Sequence, residues 1–177
     1  TPPGGTNVAS EIVTKYDDEA GCDACMKTTR GSSSITTTLD GFDRPISTVN
    51  SIGVRATTRY DAEGRRVYEG YPFAPGNPDV IGTHFAYDAL DRVIGEEYPE
   101  DAHRTRTYTR NTIAVTDEEH HTTTYTRSGF GHPDDAQLTS VLDADRKSWT
   151  YFYNPVGALT QVNGPDGVSR AWEYDDR

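Results

Sequence analysis

One phrase returns along this chain, and it constrains the fold more than any single motif. An apolar or aromatic residue followed by Asp or Asn occurs at Tyr16-Asp17, Leu39-Asp40, Tyr60-Asp61, Tyr87-Asp88, Tyr153-Asn154 and Tyr174-Asp175. The steps are 23, 21 and 27 residues, then a long gap, then 21; Tyr108 and Tyr125 divide the gap into 21, 17 and 28. A period near 21 is the mark of a repeat architecture. In such a chain each unit packs on its neighbours rather than around one central core.

The clearest units are YDAEGRRVYEGYPF from Tyr60 and YDALDRVIGEEYPE from Tyr87. An earlier one, LDGFDRPISTVNSIG, has Leu39 in the tyrosine place. Each reads as strand, tight turn, strand. Asp61 is suited to bond the backbone two residues on, and Gly64 to take positive φ. Arg follows that place in three units, as Arg44, Arg65 and Arg92. Asp43 and Asp91 stand where glycine is expected, and Asp tolerates left-handed backbone better than most residues. Gly157 takes the same place after Tyr153. A second turn falls midway through several units. Pro165-Asp166-Gly167 is its cleanest copy, with 50–53, 117–120 and 143–146 at comparable places.

The flanking segments alternate. Thr83, Phe85 and Tyr87 share one strand face, as do Trp149, Tyr151 and Tyr153, and Trp172 with Tyr174. That is the period of a half-buried strand. The expected fold is all-β: antiparallel strand-turn-strand repeats of about 21 residues, with an aromatic face packed inward and a threonine-rich or charged face outward. Residues 1–34 read as an irregular N-terminal segment with a first repeat strand, and TPPGGT and RGSSS as poorly ordered. Residues 35–177 read as the repeats, incomplete at the C-terminus. Residues 72–82 and 128–136 read as surface loops, and the repeat phase is least regular over 108–147, where turn glycines are missing.

Composition narrows the function. Only 33% of the residues are hydrophobic, too few for a thick aliphatic core. A typical domain is about 45–50% apolar, with glycine counted as well. Seventeen basic against 28 acidic residues give a net charge of -11, which weighs against nucleic-acid binding. Arg104, Arg106 and Arg110 are the one candidate basic patch. No apolar run is long enough for a transmembrane segment. The first residues lack the pattern of a signal peptide, and the chain reads as an internal piece of something longer.

Candidate chemistry is sparse. Cys22 and Cys25 form a CDAC, half of a zinc site without a second pair, a redox pair, or, as the favoured reading, two loop thiols or a local disulfide. His120 and His121 are adjacent and in a strand would point to opposite sides, so EEHH is not a metal motif and reads as a solvated turn. Asp134-Asp135 and Asp143/Asp145 lack the ligand alternation of a calcium loop. No nucleophile elbow, phosphate loop or dinucleotide fingerprint is present, so no catalytic residue, metal or cofactor is assigned. Trp149, Tyr151 and Trp172 are candidate binding aromatics, although core packing accounts for the same rows.

The units YDAEGRR and YDALDRV resemble the YD repeat, or Rhs repeat, of bacterial Rhs proteins, insecticidal toxin complexes and animal teneurins. The resemblance covers about residues 35–177, with Tyr153-Asn154 and Tyr174-Asp175 as weaker members. It implies a long antiparallel sheet that spirals into a hollow shell. In toxin members the shell encloses a cytotoxic domain; in teneurins it belongs to an extracellular adhesion protein. The expectation is a structural shell segment, not an enzyme, that scaffolds or encloses a toxin payload. Its partners would be the other repeats and domains of a parent chain and an enclosed toxin domain. The parent would be secreted or at the cell surface. A cell-surface or secreted module that binds glycan or protein is the alternative, and a hydrolytic enzyme the weakest one.

Overall fold

A computed structural model of the chain describes residues 12–16, 23–77, 81–129 and 136–175. Asp17, Cys22, His132, Asp134, Asp135 and most of the expected 128–136 loop lie outside the described residues. The chain divides into two compact units, Thr1–Phe85 and Ala86–Arg177.

The first unit carries β1 (Ile12–Tyr16), β2 (Cys25–Arg30), β3 (Ser33–Leu39), β4 (Pro45–Asn50), β5 (Arg55–Tyr60), β6 (Arg66–Gly70) and all but the end of β7 (Gly82–Tyr87). Each strand pairs antiparallel with the next in sequence. The second unit carries β8 (Val93–Glu97), β9 (His103–Tyr108), β10 (Thr112–Thr116), β11 (Thr122–Ser128), β12 (Gln137–Leu142), β13 (Ser148–Tyr153), β14 (Leu159–Asn163) and β15 (Ser169–Ala171). These too pair antiparallel in chain order. The expected all-β repeat of strand, turn and strand is the fold observed.

Register turns the alternation into rows. In the second unit Tyr108, Ile113, Tyr125, Val141 and Trp149 are successive cross-strand partners, so one aromatic and aliphatic row runs across five strands. On the other face Thr105, Thr116 and Thr122 form a row, with a hydroxyl hydrogen bond of 2.8 Å between Thr116 and Thr122. Such cross-strand pairs are the stabilising unit of a sheet, each contributing roughly 0.2–1 kcal/mol.

The aromatic face is less enclosed than the sequence predicts. Among the described residues of the second unit none is buried, and the aromatic row is only half-buried. Among the described residues of the first unit the buried side chains are Cys25, Thr37, Tyr68 and Thr83. Within each unit the described rows are shielded sideways by neighbouring rows of the same sheet.

Two segments expected as irregular or looped carry defined backbone contacts among the described residues. The RGSSS stretch is a two-residue hairpin turn between β2 and β3, with Gly31 at φ 60°. Glycine at the first turn position suits this connection because it costs nothing at positive φ. The 72–82 segment begins with a bridge rather than a free loop: Phe73 and Arg55 exchange both backbone hydrogen bonds at 2.9 Å.

Candidate functional site

The recurring Asp or Asn builds one turn, used seven times among the described residues. It spans 40–44, 50–54, 61–65, 88–92, 117–121, 143–147 and 154–158. In each, the N–H of the fourth residue donates to the carbonyl of the first at 2.9–3.1 Å, and the N–H of the first donates to the carbonyl of the fifth at 2.9–3.0 Å. The first side chain then completes the loop. Its Oδ1 accepts the N–H of the fifth residue at 2.8–3.0 Å in all seven copies.

The fourth residue always has positive φ, from 59° at Asp43 and Asp91 to 87° at Gly64. His120 and Arg146 adopt it as well, at 66° and 62°. The missing glycines therefore did not remove the turns at 117–121 and 143–147, because the Asx anchor holds them; at 108–112 the turn is of another kind, with the Thr109 N–H donating to the Thr112 carbonyl at 2.9 Å. The sequence separates these loops into unit-start turns and mid-unit turns, but the structure makes them one type. Pro165-Asp166-Gly167 is the exception. Asp166 and Gly167 are both left-handed, at 59° and 77°, and the Val168 N–H donates to the Pro165 carbonyl at 3.3 Å, a type I′ turn. It is therefore not a copy of the others; Glu100 and Asp101, after Pro99, share its left-handed pair.

Arginine and tyrosine link one turn to the next repeat. Arg44 Nε donates to Asp40 Oδ2 at 2.8 Å, while its guanidinium lies 4.5 Å from the Tyr60 ring centre. Tyr60 donates its hydroxyl to the Pro45 carbonyl at 3.1 Å. The second unit repeats the arrangement. Arg92 Nε donates to Asp88 at 2.8 Å and sits 4.2 Å from the Tyr108 ring centre, and Tyr108 donates to the Val93 carbonyl at 3.0 Å. Tyr153 and Tyr174 keep the hydroxyl bond, to Leu138 at 2.8 Å and Leu159 at 2.7 Å. In all four the acceptor lies 15 residues earlier.

These partners set the electrostatics. The Arg44 guanidinium holds the Asp40 carboxyl below its ordinary value, and Arg92 does the same for Asp88. At Asp61 desolvation pushes upward, but hydrogen bonds from the Arg65 side chain and backbone outweigh it. The His121 backbone N–H is the main cause of the lowering at Asp117.

Tyr87 ends β7, half-buried, and Asp175 is exposed. Gly157 occupies the left-handed place of the 154–158 turn. Cys25 is fully buried and disulfide-bonded, which sets aside the free-thiol reading for it. Among the described residues no three His, Cys, Asp or Glu side chains gather as a metal site. Arg104 and Arg106 do not form a basic patch with Arg110. They bind Glu96 and Glu118 instead: Arg106 to Glu96 at 2.7 Å, Arg104 to Glu118 at 3.1 Å. Burial raises the Glu96 carboxyl, and hydrogen bonds from Tyr98 and Arg106 more than offset it.

The binding aromatics separate. Trp149 and Trp172 line one shallow cavity of about 310 Å³ with Val162, Gly164, Val168 and Arg170. Tyr151 lines another, of about 860 Å³, beside the 154–157 turn. A third cavity, of about 630 Å³, brings Arg92, Arg110 and Arg127 together around Tyr108. No sequence signal marked that grouping, because turn, hairpin and strand residues converge only through sheet register.

Residues 134–169 match the model of the RHS Repeat family. The chain also has the fold of part of the crystal structure of TcdB2-TccC3-Cdc42, with a TM-score of 0.63 and 12% identity over 88% of this chain. This chain spans 9% of that one. The crystal structure of TcdB2-TccC3-TEV aligns over 90% of this chain and 13% of that one at 13% identity, with a TM-score of 0.29. A porin-like protein from Bacteroides uniformis aligns over 91% and 73% at 12% identity, with a TM-score of 0.30. No curated protein matches the chain by sequence.

Proposed function

We propose that this chain is a wall segment of a larger Rhs-type β-shell that encloses or scaffolds a toxin payload. The observation that carries the reading is the turn-to-repeat link, made once in each unit: Asp40, Arg44 and Tyr60, and again Asp88, Arg92 and Tyr108, fasten a turn to the repeat that follows it. Sheets built this way extend by repetition, and their length is set by unit number rather than by a core. The RHS Repeat match and the fold shared with TcdB2-TccC3-Cdc42 support it. The wall acts by containment, and its natural partners are the other repeats and domains of a parent chain. A disulfide at Cys25 supports a secreted or cell-surface parent, because such bonds persist in oxidising compartments. Low-resolution imaging of the parent protein tests the reading. A hollow envelope is expected, and a solid particle of the same mass would overturn it.

A second reading rests on Trp149 and Trp172 sharing a cavity. There the chain is a secreted or cell-surface module that stacks a glycan ring between two indoles. Glycan-array binding that disappears in Trp149→Ala and Trp172→Ala, with circular dichroism unchanged, is its test.

A further inference from the structure

We propose that the cavity bounded by Arg92, Arg110 and Arg127 binds a small anion, a phosphorylated or carboxylated molecule with a compact carbon body. Its volume of about 630 Å³ suits such a ligand. Small-molecule sites commonly span roughly 300–1,000 Å³. Its walls come from the second unit alone. The described lining residues include three arginines, in a chain where acidic residues outnumber basic ones 28 to 17.

Two of the three guanidiniums, those of Arg110 and Arg127, differ from their neighbours on β9 in having no carboxylate partner among the described residues. Arg104 and Arg106 are neutralised by Glu96 and Glu118. Arg110 makes no hydrogen bond or ion pair with any described residue. Arg127 reaches only the Ala136 carbonyl, at 3.4 Å. Arg92 is held by Asp88 and laid over the Tyr108 ring, so one member of the set is fixed in direction before a ligand arrives.

The surrounding backbone is fixed as well. The Arg127 N–H donates to the Asn111 carbonyl at 2.8 Å, which pins the tip of the β9–β10 hairpin against β11. Across that hairpin the Thr109 N–H donates to the Thr112 carbonyl at 2.9 Å. Guanidinium presents paired N–H donors that match the two oxygens of a carboxylate or phosphate. Tyr108 and Ile113 add apolar wall for the carbon body.

Calorimetric titration of the full 177-residue chain at low ionic strength tests this, with inorganic phosphate, glucose 6-phosphate and citrate as probes. Saturable binding of one ligand per chain by at least one organic probe is expected, with Kd rising about tenfold in Arg110→Glu and less in Arg110→Lys. Lys147→Glu makes the same charge change on an exposed turn outside the cavity and is expected to leave Kd nearly unchanged. If Arg110→Glu fails to fold by circular dichroism, Arg127→Gln takes its place, with the same loss expected. No saturation by about 10 mM with any probe overturns the proposal. So does equal weakening in Arg110→Glu and Lys147→Glu, which marks diffuse attraction rather than a site. Saturation by inorganic phosphate alone overturns the organic-ligand assignment.

Discussion

The Arg92 guanidinium lies 4.2 Å from the ring centre of Tyr108, on the strand that closes the following hairpin. The same arginine is salt-bridged to Asp88 at 2.6 Å inside its own turn. One side chain thus holds a loop shut and grips the next repeat. Its neighbour Val93 accepts the Tyr108 hydroxyl, so the grip has two points. Arg44 and Tyr60 do the same in the first unit.

That coupling is measurable. Tyr108→Phe removes the hydroxyl bond and keeps the ring, with an expected loss of about 0.5–1.5 kcal/mol in urea unfolding. Arg92→Met removes the cation and keeps the stem. A double-mutant cycle between Arg92→Met and Tyr108→Ala is expected to give a coupling of about 0.5–1 kcal/mol. Additive effects would show that the contact holds nothing.

Left-handed backbone at non-glycine residues is a reserve of strain. Arg146 sits at φ 62° in a turn whose copies at 61–65 and 154–158 use glycine. A side chain there costs about 1–2 kcal/mol, part of which glycine gives back through its freer unfolded chain. Arg146→Gly is therefore expected to raise the melting temperature slightly, and Gly64→Ala, at φ 87°, to lower it. Differential scanning calorimetry of both variants decides the sign.

Gly82 is required for a different reason. A Cβ built there lies 2.4 Å from the Glu69 carbonyl oxygen and 2.7 Å from the Tyr68 ring. The first contact is with backbone and cannot rotate away. Gly82→Ala is expected to destabilise the first unit by about 1–3 kcal/mol, as overpacking does. An unchanged urea midpoint would contradict this close approach.

Acid is expected to loosen the turns. Asp40, Asp61, Asp88 and Asp117 all have folded-state values lowered from the ordinary 3.8. A lowered carboxyl contributes stability that is present above its unfolded value and is lost as pH falls through its folded value. Unfolding midpoints should be level near neutrality on this account and fall below about pH 4. Asp88→Asn keeps the Oδ1 acceptor, as Asn50 and Asn154 do, but gives up the charge facing Arg92. Its pH profile is expected to be shallower in the acid limb, and a parallel profile would remove Asp88 from the account.

Strands and repeat were legible because they are local. Period-two alternation and an Asp or Asn before each turn require no distant partner to be recognised. The unity of the seven turns was less visible, because His120 and Arg146 hide the left-handed place that Gly64 and Gly157 advertise. The openness of the aromatic face was not legible. Alternation tells which side Trp149 and Tyr151 occupy, not whether anything lies over them. Arg92, Arg110 and Arg127 meet only after three loops and strands come into register, and no spacing rule announces that.

The tyrosine hydroxyl bonds also measure the chain. Each joins residues fifteen apart, over the windows 45–60, 93–108, 138–153 and 159–174. Within a window, one residue added to a strand would carry the phenol past its acceptor and turn the later side chains of that strand to the opposite side of the sheet. The extra residues of 72–82 and 128–136 fall between windows. The tethers thus divide the sequence into stretches of fixed length and joints where new chain can be spliced in, and a grafted loop belongs at the joints.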